Sequence, residues 1–408
     1  MRIDPAKQSW MTAPETRKLM AALTEGRFVG GAVRNALSGW PVGDIDIAVP
    51  MPPEETLRRL EIAAIKTVPT GLEHGTVTAI VNGHPFEVTS LRRDVETDGR
   101  HAIVTFTDDW EEDAGRRDFT MNALYASGDG EIFDYHGGVE DLIAGRVRFV
   151  GDAATRIRED YLRILRLFRF HAWYGKGDMD LGALRAAADA KAGLARLSGE
   201  RVAKEMLRLL ECQNPVPALR MMAASGVLSE LLPYALQLPR LEHLVLIEAE
   251  NQFAPDPLLR VAALLPDDGA VAVALSERLK LSGAERARLE SLAAPAEKIP
   301  AYLSAADVRR LLYRMGAPRF RDRVLLSWSG GPRGASQMQW RMLLSIAEGW
   351  ERPRFPISGR DAMAAGVPEG PEVGRILETL EAWWLAEDFV PDESQLREKL
   401  KSLIGTGA

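Results

Sequence analysis

Between Phe28 and Ala48 the chain reads FVGGAVRNALSGWPVGDIDIA: an apolar stretch, a glycine pair, an arginine, and two carboxylates split by one apolar residue. On a strand, alternate side chains share a face. Asp44 and Asp46 are therefore expected side by side, with Ile45 and Ile47 turned to the core. A glycine turn lets backbone approach a ligand closely, and Arg34 follows it closely. Hard carboxylate oxygens suit Mg²⁺, which is commonly held by one or two carboxylates together with substrate phosphates. An Asp-x-Asp at a strand end, or a Gly-Gly turn, is ordinary by itself. At this spacing the two together point to nucleotidyl transfer.

A second cluster, Arg116-Arg117-Asp118-Phe119-Thr120-Met121-Asn122-Ala123, gathers charge and hydrogen-bonding groups around apolar Phe119 and Ala123. Its arginines suit a triphosphate, and Asp118 or Asn122 suits a ribose hydroxyl. A third is Glu159-Asp160-Tyr161-Leu162-Arg163, continuing to Arg166 and Arg169. If the segment is one helix, Asp160, Arg163 and Arg166 form a polar ridge at three-residue spacing. From Gly145 to Phe170 there are seven arginines against three acids, in a chain whose net charge is −7. Guanidinium forks match phosphates and base edges bidentately, so an anionic ligand is expected there.

Asp160 and Arg163 suit a particular discrimination. A carboxylate accepts from the exocyclic amine of cytosine or adenine, and an arginine beside it donates to the adjoining ring nitrogen. Uracil and guanine reverse both polarities. Each mismatched buried group costs roughly 1–3 kcal/mol. One Asp–Arg pair therefore accepts C and A and rejects U and G.

The elements that must position these residues are of two kinds. A short helix at Pro14–Thr24 is followed by strand-like segments at Phe28–Gly31, Asp44–Val49, Thr76–Val81, Pro85–Ser90 and Ile132–Tyr135, with Asn82-Gly83 as a hairpin turn. Past about Leu142 strand signals nearly stop. Amphipathic helices are expected at Ala153–Tyr174, Leu181–Leu194 and Ser198–Cys212, and helical pattern continues to the end. The fold class is α+β, with a mixed head on a long all-helical remainder. At 408 residues two to four units are expected. The boundaries read here are 1–144 for the head, 145–212, 213–300 and 301–408.

Hydrophobic and charged contents of 46% and 27% are those of a globular protein. No apolar run approaches the roughly 20 residues of a membrane span, and the N-terminal stretch lacks an apolar signal core. A cytoplasmic protein without membrane association is expected, and no protein partner is evident. The single cysteine, Cys212, excludes an internal disulfide and a Cys-based zinc site. The six histidines have no metal-ligand spacing, and neither His171 nor His243 is followed by the aspartate of a metal-dependent phosphohydrolase.

On these residues the chain resembles a class II tRNA nucleotidyltransferase, the CCA-adding enzyme, whose bacterial relatives include poly(A) polymerases. The resemblance rests on Gly-Gly-x-Val-Arg with Asp-x-Asp at 30–46, Arg-Arg-Asp-Phe-Thr-x-Asn-Ala at 116–123 and Glu-Asp-x-x-Arg at 159–163. His74-Gly75-Thr76, Glu87-Val88-Thr89 leading to Arg92, and Asp134 to Arg148 agree with it. So do Ser198–Arg201, Gly226–Pro233, Gly359-Arg360-Asp361 and Gly370-Pro371. The resemblance covers the whole chain and is most specific over its first 170 residues. Residue 35 is Asn where the family usually has Asp, which keeps hydrogen bonding and loses a charge.

The resemblance implies a polymerase-β-like nucleotidyltransferase head followed by an all-α neck, body and tail that hold the tRNA acceptor arm. It implies addition of C, C and A from CTP and ATP to tRNA 3′ ends, without a nucleic-acid template and by two-metal transfer with Mg²⁺. Asp44 and Asp46 would bind the metal and do the catalysis. Gly31, Arg34, Arg116, Arg117, Asp118 and Asn122 would bind the nucleotide. Asp160 and Arg163 would read its base, with Arg166 and Arg169 in support. Glu87 is a further carboxylate of interest on a neighbouring strand; otherwise it is an edge residue paired with Arg92 or Arg93. Leu91–Val104 occupies the place of a mobile loop needed for the final A, which favours complete CCA addition. A poly(A) polymerase, an A-adding enzyme and a non-catalytic RNA-binding protein are the alternatives. Trp383-Trp384 is read as core packing.

Overall fold

The computed structural model describes residues 1–72, 75–98, 101–293, 298–334 and 336–405. His74, one of the residues behind the resemblance, lies outside them. The chain forms two compact units, one of residues 1–234 with 275–282 and one of 235–274 with 283–408. Among the described residues no helix is long and apolar enough to cross a membrane.

The first unit opens with two short helical turns, Pro5–Lys7 and Ser9–Thr12, then the expected helix, Pro14–Ala22, and a mixed sheet. Its strands are β1 (Arg27–Val29), β2 (Asp46–Val49), β3 (Lys66–Gly71), β4 (Thr76–Val81), β5 (His84–Ser90), β8 (Leu124–Ala126) and β9 (Ile132–Asp134), in the order β3-β4-β5-β2-β1-β8-β9. Between β5 and β8 the chain adds a separate antiparallel ribbon, β6 (Arg92–Asp98) with β7 (His101–Phe106). The expected loop at Leu91–Val104 is thus largely paired, and its residues 99 and 100 lie outside the described chain. Asn82 and Gly83, both at positive φ, turn β4 into β5 as a two-residue hairpin with Val81 opposite His84.

Besides the ribbon, two strands of the large sheet escape sequence reading. β3 carries Pro69 and sits at the sheet edge, where a missing N–H is tolerated. β8 has three residues, all buried, so no alternation marks it. The core between sheet and helices includes Val29, Ala48, Leu91, Ala114, Ala123, Tyr125 and Val150.

The helical part departs from expectation at one decisive place. Ala153–Tyr174 is two helices, Ala153–Glu159 and Leu162–Tyr174, because Asp160 between them is extended (φ −152°, ψ 108°). Its Oδ1 accepts the Leu162 N–H at 3.1 Å, the bond an N-terminal cap supplies to an orphan donor. Tyr161 then lies against Gly193, where an added Cβ would stand 2.1 Å from the ring. The next helices are Leu181–Ala190, continuing as a tighter turn over Lys191–Arg196, and Gly199–Leu210. Cys212 is buried and forms no disulfide, as a small core residue.

The second unit is helical. Tyr313, Leu380, Trp384, Leu396 and Leu400 belong to one of its buried clusters. Trp384 is 4% exposed and its indole donates to the Pro391 carbonyl at 3.0 Å, so it is a core residue.

Candidate active site

β1 ends at Val29, and Gly30 takes φ +66°, ψ −116°, a conformation that side chains rarely adopt. Helix Gly31–Ser38 starts immediately after it. The first turn of a helix leaves N–H groups without intrahelical partners and carries the positive end of its dipole, which together favour an anion. Gly30 and Gly31 line an open cavity of about 400 Å³ in the first unit.

The carboxylates enter from β2. The strand begins at Asp46, not Asp44, so the alternation argument does not apply to the pair as expected. Asp44 is exposed on the approach, and Pro41 and Gly43 just before it oppose strand geometry. Asp46 stands opposite Val29 of antiparallel β1 and opposite Glu87 of parallel β5. Burial raises the Asp46 carboxyl above the usual range; Glu87 and Asp44 add to this and Arg117 opposes it. Glu87 is on an interior strand and exposed, not an edge residue. Of the arginines expected beside it, Arg93 pairs with Glu112, and the backbone N–H of Arg92 donates to Asp113.

The paired arginines follow helix Trp110–Gly115, capped by Asp109. Both are anchored by a residue that sequence reading passed over, Asp113, whose side chain is 1% exposed. Arg116 lies 2.9 Å from one Asp113 oxygen and Arg117 3.1 Å from the other, and Tyr125 Oη donates to the latter at 2.6 Å. Burial pushes the Asp113 carboxyl up, but Arg117, Arg116 and the Tyr125 hydroxyl outweigh it and hold it at about 2. The signal was present: an acid three and four residues before two arginines on one helical turn.

Asp118 forms the next tier. It accepts from the Phe119 N–H (2.8 Å), Asn122 Nδ2 (3.0 Å) and Arg166 Nε (2.7 Å). Burial opposes ionisation there too, and Arg166 with these bonds brings its carboxyl to about 2. Asn122 Oδ1 in turn accepts from Arg34 Nη1. A continuous chain, Arg34–Asn122–Asp118–Arg166, therefore ties the glycine-turn helix to the Leu162–Tyr174 helix. Asn35 uses both ends of its amide: Oδ1 accepts from Arg34 and from Tyr174 Oη at 3.0 Å, and Nδ2 donates to the Pro41 carbonyl at 2.9 Å.

Asp160 is therefore not on the ridge of the helix but at its mouth. Its second oxygen is 2.6 Å from Arg201 Nη2. Arg163 pairs with Glu159 and donates to the Arg156 carbonyl at 2.9 Å. One helix, Gly199–Leu210, supplies Arg201 to Asp160 and, a turn later, buried Glu205 to Arg166 and Arg169. Arg201 entered the sequence reading only within the Ser198–Arg201 stretch, with no site role, and Glu205 not at all; their partners lie more than 30 residues away.

All the expected site residues except Asp44 and Arg169 line the one cavity, joined there by Gly30, Leu162, Phe170 and Arg201. Arg169 is drawn off to Glu205 and lies 4.2 Å over the Phe170 ring. Six arginines against three carboxylates make the wall net basic, suited to a polyphosphate.

Residues 26–148 match the family model of the poly A polymerase head domain, and 181–238 match that of a probable RNA and SrmB-binding site of polymerase A. The human mitochondrial CCA tRNA nucleotidyltransferase 1 is 34% identical over 390 residues, covering 92% of this chain and 86% of that one. The CCA-adding enzyme of Streptococcus sanguinis is 36% identical over 271 residues, covering 66% of this chain and 67% of that one. The crystal structure of the Bacillus stearothermophilus CCA-adding enzyme in complex with CTP aligns with a TM-score of 0.71 and 26% identity, covering 96% and 98% of the two chains. By sequence over nearly its whole length and by fold, the chain belongs to the class II CCA tRNA nucleotidyltransferase family and is a nucleotidyltransferase of that kind.

Proposed function

We propose that this enzyme adds C, C and A from CTP and ATP to the 3′ end of tRNA, with its own side chains in place of a nucleic-acid template. The observation that supports this reading is the shared cavity: a catalytic carboxylate, a basic wall and the Asp160–Arg163 pair meet in one space.

The residues fit a divalent metal, Mg²⁺ in this reading, held by Asp44 and Asp46. Their oxygens are hard donors, and the burial that raises the Asp46 carboxyl, with the added charge of Glu87 and Asp44, is a cost that a dication relieves. Among the described residues no group of three or more acidic, histidine or cysteine side chains is arranged as a metal site. That agrees with an ion that takes its remaining oxygens from substrate phosphates. Two such ions, when bound, would stabilise charge on the attacking and leaving oxygens of an in-line transfer at the α-phosphorus.

The chain's own groups do the rest. Arg116 and Arg117, fixed by Asp113, and the first turn after Gly30 bind the phosphates. Arg34 and Arg166 are held by Asn122 and Asp118 and border the nucleoside. Asp160 keeps unused lone pairs beside its bonds to Leu162 and Arg201, and Arg163 keeps N–H groups beyond those given to Glu159 and to the Arg156 and Arg116 carbonyls. Those remaining sites complement the edge shared by cytosine and adenine. The β6–β7 ribbon belongs to the A-adding step in this reading.

The test is a tRNA transcript ending at its discriminator base, given Mg²⁺ and each nucleotide alone and combined. Two additions with CTP, and a third only once ATP is present, are expected. Long A tails would make it a poly(A) polymerase. A added only to a CC-ended transcript would make it an A-adding enzyme, and no incorporation would leave an RNA-binding protein.

A further inference from the structure

Trp40 is an anomaly beside this site. It is 40% exposed, on the turn between helix Gly31–Ser38 and Asp44. Its ring lies 5.5 Å from that of Trp173 and 5.6 Å from that of Tyr174, both half-buried. Tyr174 stacks on Phe170 at 5.9 Å, and Phe170 lines the nucleotide cavity. An unbroken aromatic strip therefore runs from solvent to the cavity wall. Arg34 lies 4.4 Å over Tyr174, so the strip is also in contact with the basic wall.

Its outer end is tied to a helix that carries exposed cations. The Trp173 indole donates to the Arg208 carbonyl at 2.7 Å, which sets the aromatic pair at the end of helix Gly199–Leu210. On that helix Lys204 and Arg208 lie one turn apart, both exposed, and neither makes an ion pair among the described residues. In a chain of net charge −7, two exposed cations one turn apart are open to an outside anion. Trp40 and Asp44 are four residues apart, so at most about 14 Å of chain separates them. That span covers only a few nucleotides stacked at about 3.4 Å each.

We propose that Trp40, backed by Trp173 and Tyr174, is a stacking platform for a base in the single-stranded 3′ end of the RNA substrate, with Lys204 and Arg208 as its phosphate partners. Single-stranded RNA is gripped by this combination of aromatic faces and cations. A base on Trp40 would hold the end of the chain while its 3′-hydroxyl reaches the carboxylates. This rests on the nucleotidyl-transfer reading above.

The experiment compares Trp40→Leu and Trp40→Phe with the wild-type full chain, measuring KM for a tRNA transcript and for CTP separately. Leu keeps apolar packing and cannot stack; Phe stacks. Trp40→Leu is expected to raise KM for the RNA about tenfold with KM for CTP within twofold of wild type, and Trp40→Phe to recover most of the loss. Lys204→Gln with Arg208→Gln should weaken RNA binding and flatten its dependence on salt. An unchanged RNA KM in Trp40→Leu would overturn the proposal. So would equal losses in Leu and Phe, or parallel rises in both KM values with a lowered melting temperature, each of which marks packing alone. A wild-type chain that incorporates no nucleotide would instead sink the nucleotidyl-transfer reading on which this one stands.

Discussion

Asp113 touches no expected ligand, yet two arginines of the cavity hang on it. Its carboxyl sits at about 2 rather than 3.8, and at 1.36 kcal/mol per pH unit that difference is worth about 2.5 kcal/mol to the folded state. The side chain is 1% exposed, so solvent screening removes little of this. Replacing it by Asn keeps the shape and removes the charge. Arg116 and Arg117, whose side chains are only 15% and 20% exposed, would then lose the group that neutralises and aims them. Asp113→Asn should therefore cost about 2–3 kcal/mol and raise KM for CTP and ATP about tenfold, with KM for the RNA much less affected. The sign with pH is also set. The folded-state carboxyl is depressed, so its stabilisation is complete above pH 4 and lost as pH falls through about 2. The wild type should thus lose more stability than the variant on acidification. Denaturant unfolding at neutral and acid pH, with nucleotide KM measured beside it, tests both halves. A variant within 0.5 kcal/mol of wild type, with unchanged KM for CTP, would refute the reasoning.

Other consequences are direct. Asp46→Asn, and likewise Asp44→Asn, should abolish transfer while the protein melts at or slightly above the wild-type temperature, since ionised Asp46 is disfavoured by burial and by Glu87; retained activity in Mg²⁺ would remove these residues from catalysis. Arg201→Gln should remove the partner that orients Asp160 and so lower selectivity for C over U about tenfold in single-nucleotide incorporation; unchanged selectivity would show that Arg201 serves the helix junction alone. Replacing residues 94–104 by a short Gly-Ser link should slow A addition at least tenfold and leave C addition within about threefold, and equal effects on both would detach the ribbon from the final step.

What could be seen in the sequence follows from the range of the interactions involved. Gly30-Gly31 with Asp46, the Asn82-Gly83 hairpin and the arginines of 116–117 depend on neighbours a few residues away, and their spacing showed. The break at Asp160 did not show, because the apolar period of Ala153–Tyr174 runs through it. What stops the helix is a carboxylate that caps forward and pairs with Arg201, together with a tyrosine seated on Gly193. Asp44 was placed in a strand that begins two residues later, since a local pattern does not say where the partner strands end. Nothing local marks Glu205 on its amphipathic helix, and only packing against the Leu162–Tyr174 helix buries it beneath two arginines.

The self-pairing of the cavity, Asp160 with Arg201 and Arg163 with Glu159, gives binding the character of an exchange. If these residues read the base as proposed, an arriving nucleotide must share or displace partners already in place. Every base meets that same toll, so it cancels from the ratio between bases and subtracts only from absolute affinity. Such a site can be selective while holding its substrate loosely, which suits an enzyme that must release its grip after each of three additions. It also leaves the arginines of the pocket partly offset by their own carboxylate partners, so that the net basic wall holds a polyphosphate less avidly than a bare cluster of arginines would.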